Sequence, residues 1–476
     1  MVEQIPVAIG DDQDAEIARV ADRIRRRQPM IAADRPCGPA VAAGWGPGPS
    51  LFLHDTAGIQ PVGPRQPSGL EYRPLPLARD GDFLAISREW NPAFESYCRE
   101  FLRLGAVEVL RARPSHGRAT LATLCRRDAD VRRRLADAAR THGGLTLHPY
   151  ISSAAVWRLA AAIAADAGVP VVVAAPPPRL ARCVNDKLWF AARVAELLGP
   201  DALPPTRRAR DTAALIRHVT DLLPACDTIV MKLPSAAGST GNCILDCARL
   251  RGRPHDTLRA ELVSRFRQLG WRRPFPLLVS VWETPVAMSP SVQLWIPAAG
   301  HGPPIVEGIF EQHVAGEAGR FTGASPAGLP AATERRIAAE AAVLATLFQH
   351  LGYFGRCSFD AILVGDDPGR AALHWVECNG RWGGTSIPMT TVNRLTGNWA
   401  SAPFATVHPD WPLRISFDEV LDRTRDRLFR PADPAGLLFV SPGDPAALTG
   451  IEWVAIDRDV RTARRQAQLA SALLRA

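Results

Sequence analysis

Apolar and polar positions along the chain change period several times, and the changes mark out its elements. In the first part a Pro/Gly-rich stretch over 37–69 surrounds the apolar Leu51-Phe-Leu. Helical spacing covers 93–104, and an extended run at 106–110 precedes a charged helix over 121–142. A helix over 155–167 then passes Gly168 and Pro170 into Val171-Val-Val, which Pro176-Pro-Pro stops. Helix alternating with strand predicts an open α/β domain over 1–180.

From 181 onward, strands follow one another through hairpin-length turns. The pattern predicts helices over 188–198, 212–223, 255–269 and 334–351. It predicts strands over 228–232, 242–245, 277–283, 292–296, 305–310, 358–363 and 373–377. Strands with a few packed helices predict a two-lobed α+β unit over 181–400, its lobes dividing at about 285. The tail, 401–476, offers a helix over 417–428, apolar runs at 437–440 and 453–456, and an amphipathic helix over 457–475, a small C-terminal α/β domain. The segment 315–329, rich in Gly, Ala and Pro, reads as a loop and a candidate lid.

Composition narrows the function classes. The 476 residues allow roughly three domains at about 150 residues each. With 47% hydrophobic and 22% charged residues, disordered and collagen-like classes are excluded. The longest apolar stretch, 154–176, is interrupted by Arg158 and Asp166 and broken by Pro170, so no membrane span is expected. The N-terminus lacks a basic start followed by an apolar run, and the expected compartment is the cytoplasm. Nine cysteines contain no Cys-x-x-Cys pair and eleven histidines show no zinc spacing, so no structural metal is expected. The net charge of +8 would suit an anionic partner, but the densest basic runs, 25–27 and 132–134, lie in helical patterns with acids nearby. Neither nucleic acid nor a membrane surface is expected as a partner.

The pooled count of 56 Lys plus Arg hides an asymmetry: only Lys187 and Lys232 are lysine, and the other 54 are arginine. A compact ammonium on a slim stem enters a crowded phosphate pocket that refuses the broad guanidinium fork. The neighbourhoods of both lysines fit that use. Lys232 ends the apolar strand Thr228-Ile-Val-Met and precedes Ser235-Ala-Ala-Gly238-Ser239-Thr240-Gly241, small residues that let backbone N–H groups approach an anion. A Gly/Ser hairpin turn is the plain alternative, and no Walker spacing is present.

A second cluster alternates acid, amide and base: Glu377-Cys-Asn379-Gly-Arg381. Period two places Glu377, Asn379 and Arg381 on one face. A carboxylate and an amide oxygen are hard ligands suited to Mg²⁺, and Arg381 could hold an anionic oxygen beside it. Asp360 adds a carboxylate on an apolar strand, where an unpaired charge is costly. Strand-end salt bridges to surface arginines are the alternative for Asp360 and Glu377.

On these motifs, from about 184 to 392, the chain resembles the ATP-grasp carboxylate–amine ligases. Asn185-Asp186-Lys187 is similar to the family's first nucleotide-binding lysine, and Lys232 with its Ser/Gly loop to the second lysine and phosphate loop. Leu277-Leu-Val-Ser-Val-Trp-Glu283 is similar to the hinge strand, where an acid meets the ribose or the adenine amine. Gly352-Tyr-Phe-Gly355-Arg-Cys-Ser-Phe-Asp360 and Glu377-Cys-Asn379 are similar to the metal-binding strands. Arg381-Trp-Gly-Gly-Thr385-Ser386-Ile-Pro388 resembles a run of the pre-ATP-grasp peptide ligases of pheganomycin type, with Ser386 in place of a threonine and Ile387 where a histidine is expected.

The resemblance implies a pre-ATP-grasp α/β domain, an ATP-grasp fold and a small C-terminal α/β domain. It implies ATP and Mg²⁺, two ions with Mn²⁺ as a substitute, and an acid and an amine or short peptide as substrates. The acid would become an acyl phosphate, which the amine would convert to an amide. Lys187 and Lys232 would hold the α- and β-phosphates, Ser235, Gly238, Ser239, Thr240 and Gly241 would close over the β- and γ-phosphates, and Glu283 would meet the nucleoside. Asp360, Glu377 and Asn379 would hold the metal, and Arg381, with Lys232, would stabilise the reacting charge. Release of ADP and phosphate in peptide or natural-product biosynthesis is the implied role. A small-molecule kinase on the same fold, or an inactive nucleotide-binding module, are the alternatives. The substrate is expected between the N-terminal domain and the metal-binding lobe, and a homodimer is the default assembly.

Overall fold

The computed structural model describes residues 5, 7, 9–32, 37–55, 69–113, 119–236, 241–272, 274–316, 319–409, 411–433, 435–443 and 450–475. Three sheets organise them. The first holds six parallel strands: β1 (Val41–Ala43), β2 (Ser50–Leu53), β3 (Phe83–Ile86), β4 (Glu108–Arg111), β5 (Leu145–Pro149) and β6 (Val171–Val173), in the order β1-β6-β5-β2-β3-β4. A parallel sheet needs cover on both faces. On one face Leu124, Leu135, Trp157 and Ile163 pack against Leu51, Leu147 and Val173. On the other, Phe52, Leu84 and Ile86 join a core with the helix Pro92–Phe101 and the C-terminal strands. The charged helix expected over 121–142 is two helices, Leu121–Arg127 and Ala129–His142. Asp128 breaks it by adopting an extended backbone and accepting from the Asp130 and Val131 amides as an N-cap.

The second sheet is antiparallel, β7 (Thr206–Ala209), β8 (Thr228–Lys232), β9 (Asn242–Asp246) and β10 (Leu277–Val281), in the order β7-β10-β8-β9. Its covered face packs Ile229, Met231, Leu277 and Val279 on the helices Thr212–Leu222 and His255–Gln268. Period two therefore turns Val230, Lys232 and Ser280 to the opposite face.

The third sheet is antiparallel, of nine strands: β11 (Val286–Met288), β12 (Pro290–Ile296), β13 (Ile305–Ala315), β14 (Arg320–Pro326), β15 (Gly355–Val364), β16 (Ala372–Asn379), β17 (Phe404–Val407), β18 (Gly436–Ser441) and β19 (Glu452–Ile456). From β15 the order runs β12-β13-β14-β17-β19-β18, while β11 and β16 also pair with β15. The helix Ala331–His350 lays Ile337, Leu344 and Phe348 on Val292, Phe359 and Trp375. The N-terminal helix Asp11–Arg27 packs on this helix, not on the first sheet. Beyond 401, β17, β19 and β18 continue the sheet past β14, and the helix Val460–Arg475 covers them.

The expected loop over 315–329 holds the strand β14, with 317 and 318 outside the described residues. β14 pairs with β13 on one side and β17 on the other. Its small residues permit that pairing: a Cβ on Gly323 would lie 2.1 Å from the Thr406 carbonyl oxygen. Among the described residues no helix is long and apolar enough to cross a membrane.

Candidate active site

The open face of the second sheet looks across a cavity of about 350 Å³ at β15 and β16. Lys187, Lys232, Glu283, Asp360 and Glu377 all line it. Residues up to 190 positions apart in sequence thus meet in one cleft.

Lys187 opens the helix Lys187–Leu197, whose N-cap Asp186 accepts from the Leu188 and Trp189 amides. The cap fixes the first turn and directs the side chain inward. Its Nζ donates to the Ala236 carbonyl at 2.6 Å and pairs with Glu377 Oε2, also at 2.6 Å. Lys232 stands at the end of β8, opposite Leu278 and Asn242. Burial, with the neighbouring Lys187, pulls its ammonium down to about 8, and Glu377 opposes the shift. Two ammonium groups crowded into a partly dry cleft favour a polyanion between them.

The carboxylates owe their placement to a bulge. Alternation along β16 buries Leu373 and Trp375, and continued without interruption it would bury Glu377 as well. The register shifts between Asp360 and Ala361 on β15, leaving Val376 as the extra residue of β16. Glu377 consequently turns into the cleft directly opposite Asp360. Burial and the facing Glu377 push the Asp360 carboxyl up to about 7, against hydrogen bonds from Ser291 Oγ at 2.6 Å and Asn379 Nδ2 at 2.7 Å. Burial also disfavours charge on Glu377, but Lys187, then Lys232 and Arg381, outweigh it and hold this carboxyl below the usual range.

Asp360 and Glu377 stand opposite each other, and Asn379, outside the cleft lining, spends its amide nitrogen on Asp360 and so keeps its oxygen as a donor. That set fits Mg²⁺. Among the described residues no group of three His, Cys, Asp or Glu could hold a metal, so a site here would also need the Asn379 oxygen or ligands from outside the protein. A bound cation must displace the proton that Asp360 holds near neutrality. Mg²⁺ affinity without nucleotide is therefore expected to rise with pH through 7, falling about tenfold per unit below it. Calorimetric titration from about pH 6 to about pH 8 checks this; a flat profile would remove Asp360 from the ligand set.

Arg381 lies just past the end of β16 and outside the lining of the cleft. Its guanidinium is 5.9 Å from the centre of the Tyr150 ring, and its Nε is buried with no partner among the described residues. A buried donor without an acceptor is poised for one. The turn before it is held by Asn185, whose amide bonds both the Gly380 N–H (3.1 Å) and its carbonyl (3.3 Å). Only glycine fits there, since a Cβ would stand 2.4 Å from Val184 Cγ2. Asn185 thereby ties the start of the lysine-bearing helix to the end of β16. The sequence motif contained it without revealing the task.

Glu283 follows β10 and accepts from His374 Nδ1 at 2.7 Å. His374 is the partner that sequence reasoning missed, on β16 one turn of the pleat before the bulge. Val230, Val281, Val314, Ile362 and Val376 make this end of the cleft apolar, as a planar base requires. Of the expected phosphate loop, Ser235 is exposed and outside the cleft lining, Gly241 packs on Ala236, and Gly238, Ser239 and Thr240 lie outside the described residues. The Leu233 amide donates to the Gly241 carbonyl at 2.9 Å, closing the base of this loop next to Lys232.

A buried network beside the site was also invisible in the sequence. Arg73, from the N-terminal domain, pairs with Glu452 on β19. His408 bridges Glu452 Oε1 at 3.0 Å and the Gly384 carbonyl at 3.2 Å, fixing the loop that carries Arg381. Burial works against charge on Glu452, but Arg73 and His408 overcome it and lower the carboxyl to about 2.

Comparison with known proteins agrees with this architecture. Residues 71–165 match the family model of the pre ATP-grasp domain. The chain is similar to the ADP complex of N5-carboxyaminoimidazole ribonucleotide synthetase, purK, with a TM-score of 0.53 and 13% identity over 89% of this chain and 97% of that one. It is similar to biotin carboxylase of Campylobacter jejuni in a β-γ-ATP complex, at 0.54 and 12%, covering 90% and 92%. The biotin carboxylase domain of Hydrogenobacter thermophilus 2-oxoglutarate carboxylase, solved with MgADP and bicarbonate, gives 0.52 and 10%, covering 90% of each chain. No curated protein matches the sequence. The fold is an ATP-grasp fold behind a pre-ATP-grasp domain.

Proposed function

We propose that the chain is an ATP-dependent ligase that joins a carboxylate to an amine through an acyl phosphate. The observation that carries this is the convergence of the chain's two lysines with Asp360 and Glu377 on one cleft. Lys187 and Lys232 bind the α- and β-phosphates, and the loop after Lys232 covers the β- and γ-phosphates. Asp360, Glu377 and Asn379 would hold Mg²⁺, which when bound neutralises phosphate charge. Glu283, positioned by His374, meets the nucleoside.

A substrate carboxylate oxygen bonds the γ-phosphorus as the bond to the β-phosphate oxygen breaks, leaving ADP. The amine nitrogen then bonds the acyl carbon, phosphate departs with the former carboxylate oxygen, and the amine releases a proton to water. Arg381 stabilises charge on the acyl phosphate with its free donor. Positioning and charge neutralisation suffice for such a transfer, without a covalent nucleophile. We take the division near 180 and 400 as the functional one, and peptide or natural-product biosynthesis in the cytoplasm as the setting.

The test is a panel of amino acids and short peptides as acids and amines, read by ADP release, phosphate release and mass spectrometry. ADP, phosphate and an amide in equal amounts are expected. ADP with a phosphorylated hydroxyl product and no free phosphate would make the protein a kinase, and no ADP from any pair would leave a nucleotide-binding module.

A further inference from the structure

Two of the nine cysteines form a close thiol pair at the root of the hairpin that carries Lys232. The ladder between β8 and β9 ends with Thr228 opposite Asp246, and one step further the Cys247 amide donates to the Asp227 carbonyl at 2.9 Å. Cys226 and Cys247 flank that last contact, with their sulfurs 3.8 Å apart. The Cys226 thiol donates to the Leu222 carbonyl at 3.3 Å, so across the pair Cys247 is the donor and Cys226 the acceptor.

The backbone holds the pair together yet leaves one side adjustable. Arg251, the residue after the helix Cys247–Leu250, donates to the Leu223 carbonyl at 2.9 Å and to the Cys226 carbonyl at 2.8 Å. The helix that Cys247 opens is thereby tied to the segment that contains Cys226. Cys226 itself belongs to neither helix nor strand. A disulfide needs the sulfurs to close to about 2.05 Å, and side-chain rotation with a small shift of this loop residue supplies the difference.

Access to the two thiols is unequal. Cys247 is fully buried in the core under the second sheet, whereas Cys226 is half-buried at its margin. Burial, then the hydrogen bond with Cys226, push the Cys247 thiol up, so it resists direct attack. An oxidant therefore meets Cys226 first. Cys357 on β15 and Cys378 on β16 also interact, but both are buried and lack such an entry point.

The pair sits where a bond would matter. In the order β7-β10-β8-β9, β9 is an edge strand, and among the described residues only β8 pairs with it. The chain from 226 to 247 contains Lys232 and all of β9, so joining its ends makes a covalent ring of 22 residues. Such a ring lowers the entropy gained when the hairpin opens. The bond would lie at the opposite end of β8 from Lys232, which leaves the closed geometry around the lysine as it is.

We propose that Cys226 and Cys247 are a reversible disulfide site that clips the Lys232 hairpin shut when the surroundings turn oxidising, with a low-molecular-weight disulfide as the oxidant. The Cys226 sulfur bonds to one sulfur of that disulfide, the S–S bond breaks, and one small thiol leaves with the Cys226 proton. The Cys247 sulfur then bonds to Cys226, the mixed disulfide breaks, and the second small thiol leaves with the Cys247 proton. Two protein thiols are oxidised and one small disulfide is reduced to two thiols. A reducing compartment keeps the pair as thiols at rest.

Oxidised glutathione on the full chain, followed by non-reducing peptide mapping and hydrogen exchange, tests this without ATP turnover. A peptide linking Cys226 to Cys247 is expected, and dithiothreitol should remove it. Exchange at the β9 amides should slow about 10- to 100-fold in the linked form, while MgATP affinity stays the same. Cys247→Ser should stop at a glutathione adduct on Cys226, and Cys226→Ser should leave Cys247 a free thiol. Cys37 and Cys183, the other partly exposed cysteines, gauge the reach of the oxidant. Adducts on either of those with Cys226 and Cys247 still free, or separate adducts on Cys226 and Cys247, would overturn the site. A linked form whose β9 amides exchange as fast as before would overturn the clip.

Discussion

Glu377→Gln is expected to lower Mg²⁺-dependent ADP release by about 10²- to 10³-fold, the scale of losing one preorganised electrostatic contact in a dry site. The amide keeps the shape of the carboxylate but removes the charge that faces Asp360 and Lys187. Three consequences separate the chemical role from the structural one. Without the facing charge, the Asp360 carboxyl should relax toward its usual range, so the pH dependence of residual Mg²⁺ binding moves down. Lys187, only 7% exposed, loses its ionic partner and keeps only the Ala236 carbonyl, and leaving a largely buried charge without its counter-charge is destabilising. The melting temperature of the single variant should therefore fall. The double variant Lys187→Met with Glu377→Gln removes both charges and should regain stability while staying inactive. Wild-type turnover in Glu377→Gln would sink the metal assignment; a double variant as unstable as the single one would sink the ion-pair account.

What the sequence revealed depended on whether a feature was local. The two lysines stood out because 54 other cations were arginine, and both occupy the cleft. Asp360, Glu377 and Asn379 were legible because strand spacing is short-range. Even there, simple alternation gave the right face for Glu377 only because the Val376 bulge had reset a phase set by Leu373 and Trp375. Arg381 counted as the third member of that face, but β16 stops at Asn379 and Gly380 turns the chain. The strand β14 was hidden because its neighbours demand small residues, which read as a loop. The helix Ser386–Thr396 was hidden by Pro388 and its threonines, although Pro is tolerated in a first turn. Ile387, where a histidine was expected, is 1% exposed and belongs to the core, so it does not face a substrate. Arg73 with Glu452, and His374 with Glu283, join residues 379 and 91 positions apart. No local pattern encodes such pairs.

Lys232→Arg should reduce kcat/KM for ATP by about 10²-fold or more, although it conserves charge. The position explains why. Val230 and Lys232 alternate onto the cleft face of β8, with Ile229 and Met231 locked in the core beneath, so the strand cannot shift to admit a larger head group. Burial, and secondarily repulsion from Lys187, pulls the Lys232 ammonium down to about 8. A guanidinium cannot shed its proton to relieve that repulsion, and its planar fork needs more room than an ammonium. Bound triphosphate reverses the balance by favouring the charged lysine, so ATP binding should take up protons near pH 8, detectable as a buffer-dependent binding enthalpy. Lys232→Arg should abolish that proton uptake, because arginine is charged throughout. Lys232→Met should lose turnover to a similar degree. Turnover at the wild-type level in Lys232→Arg, at saturating ATP, would show that the rarity of lysine in this chain has nothing to do with phosphate.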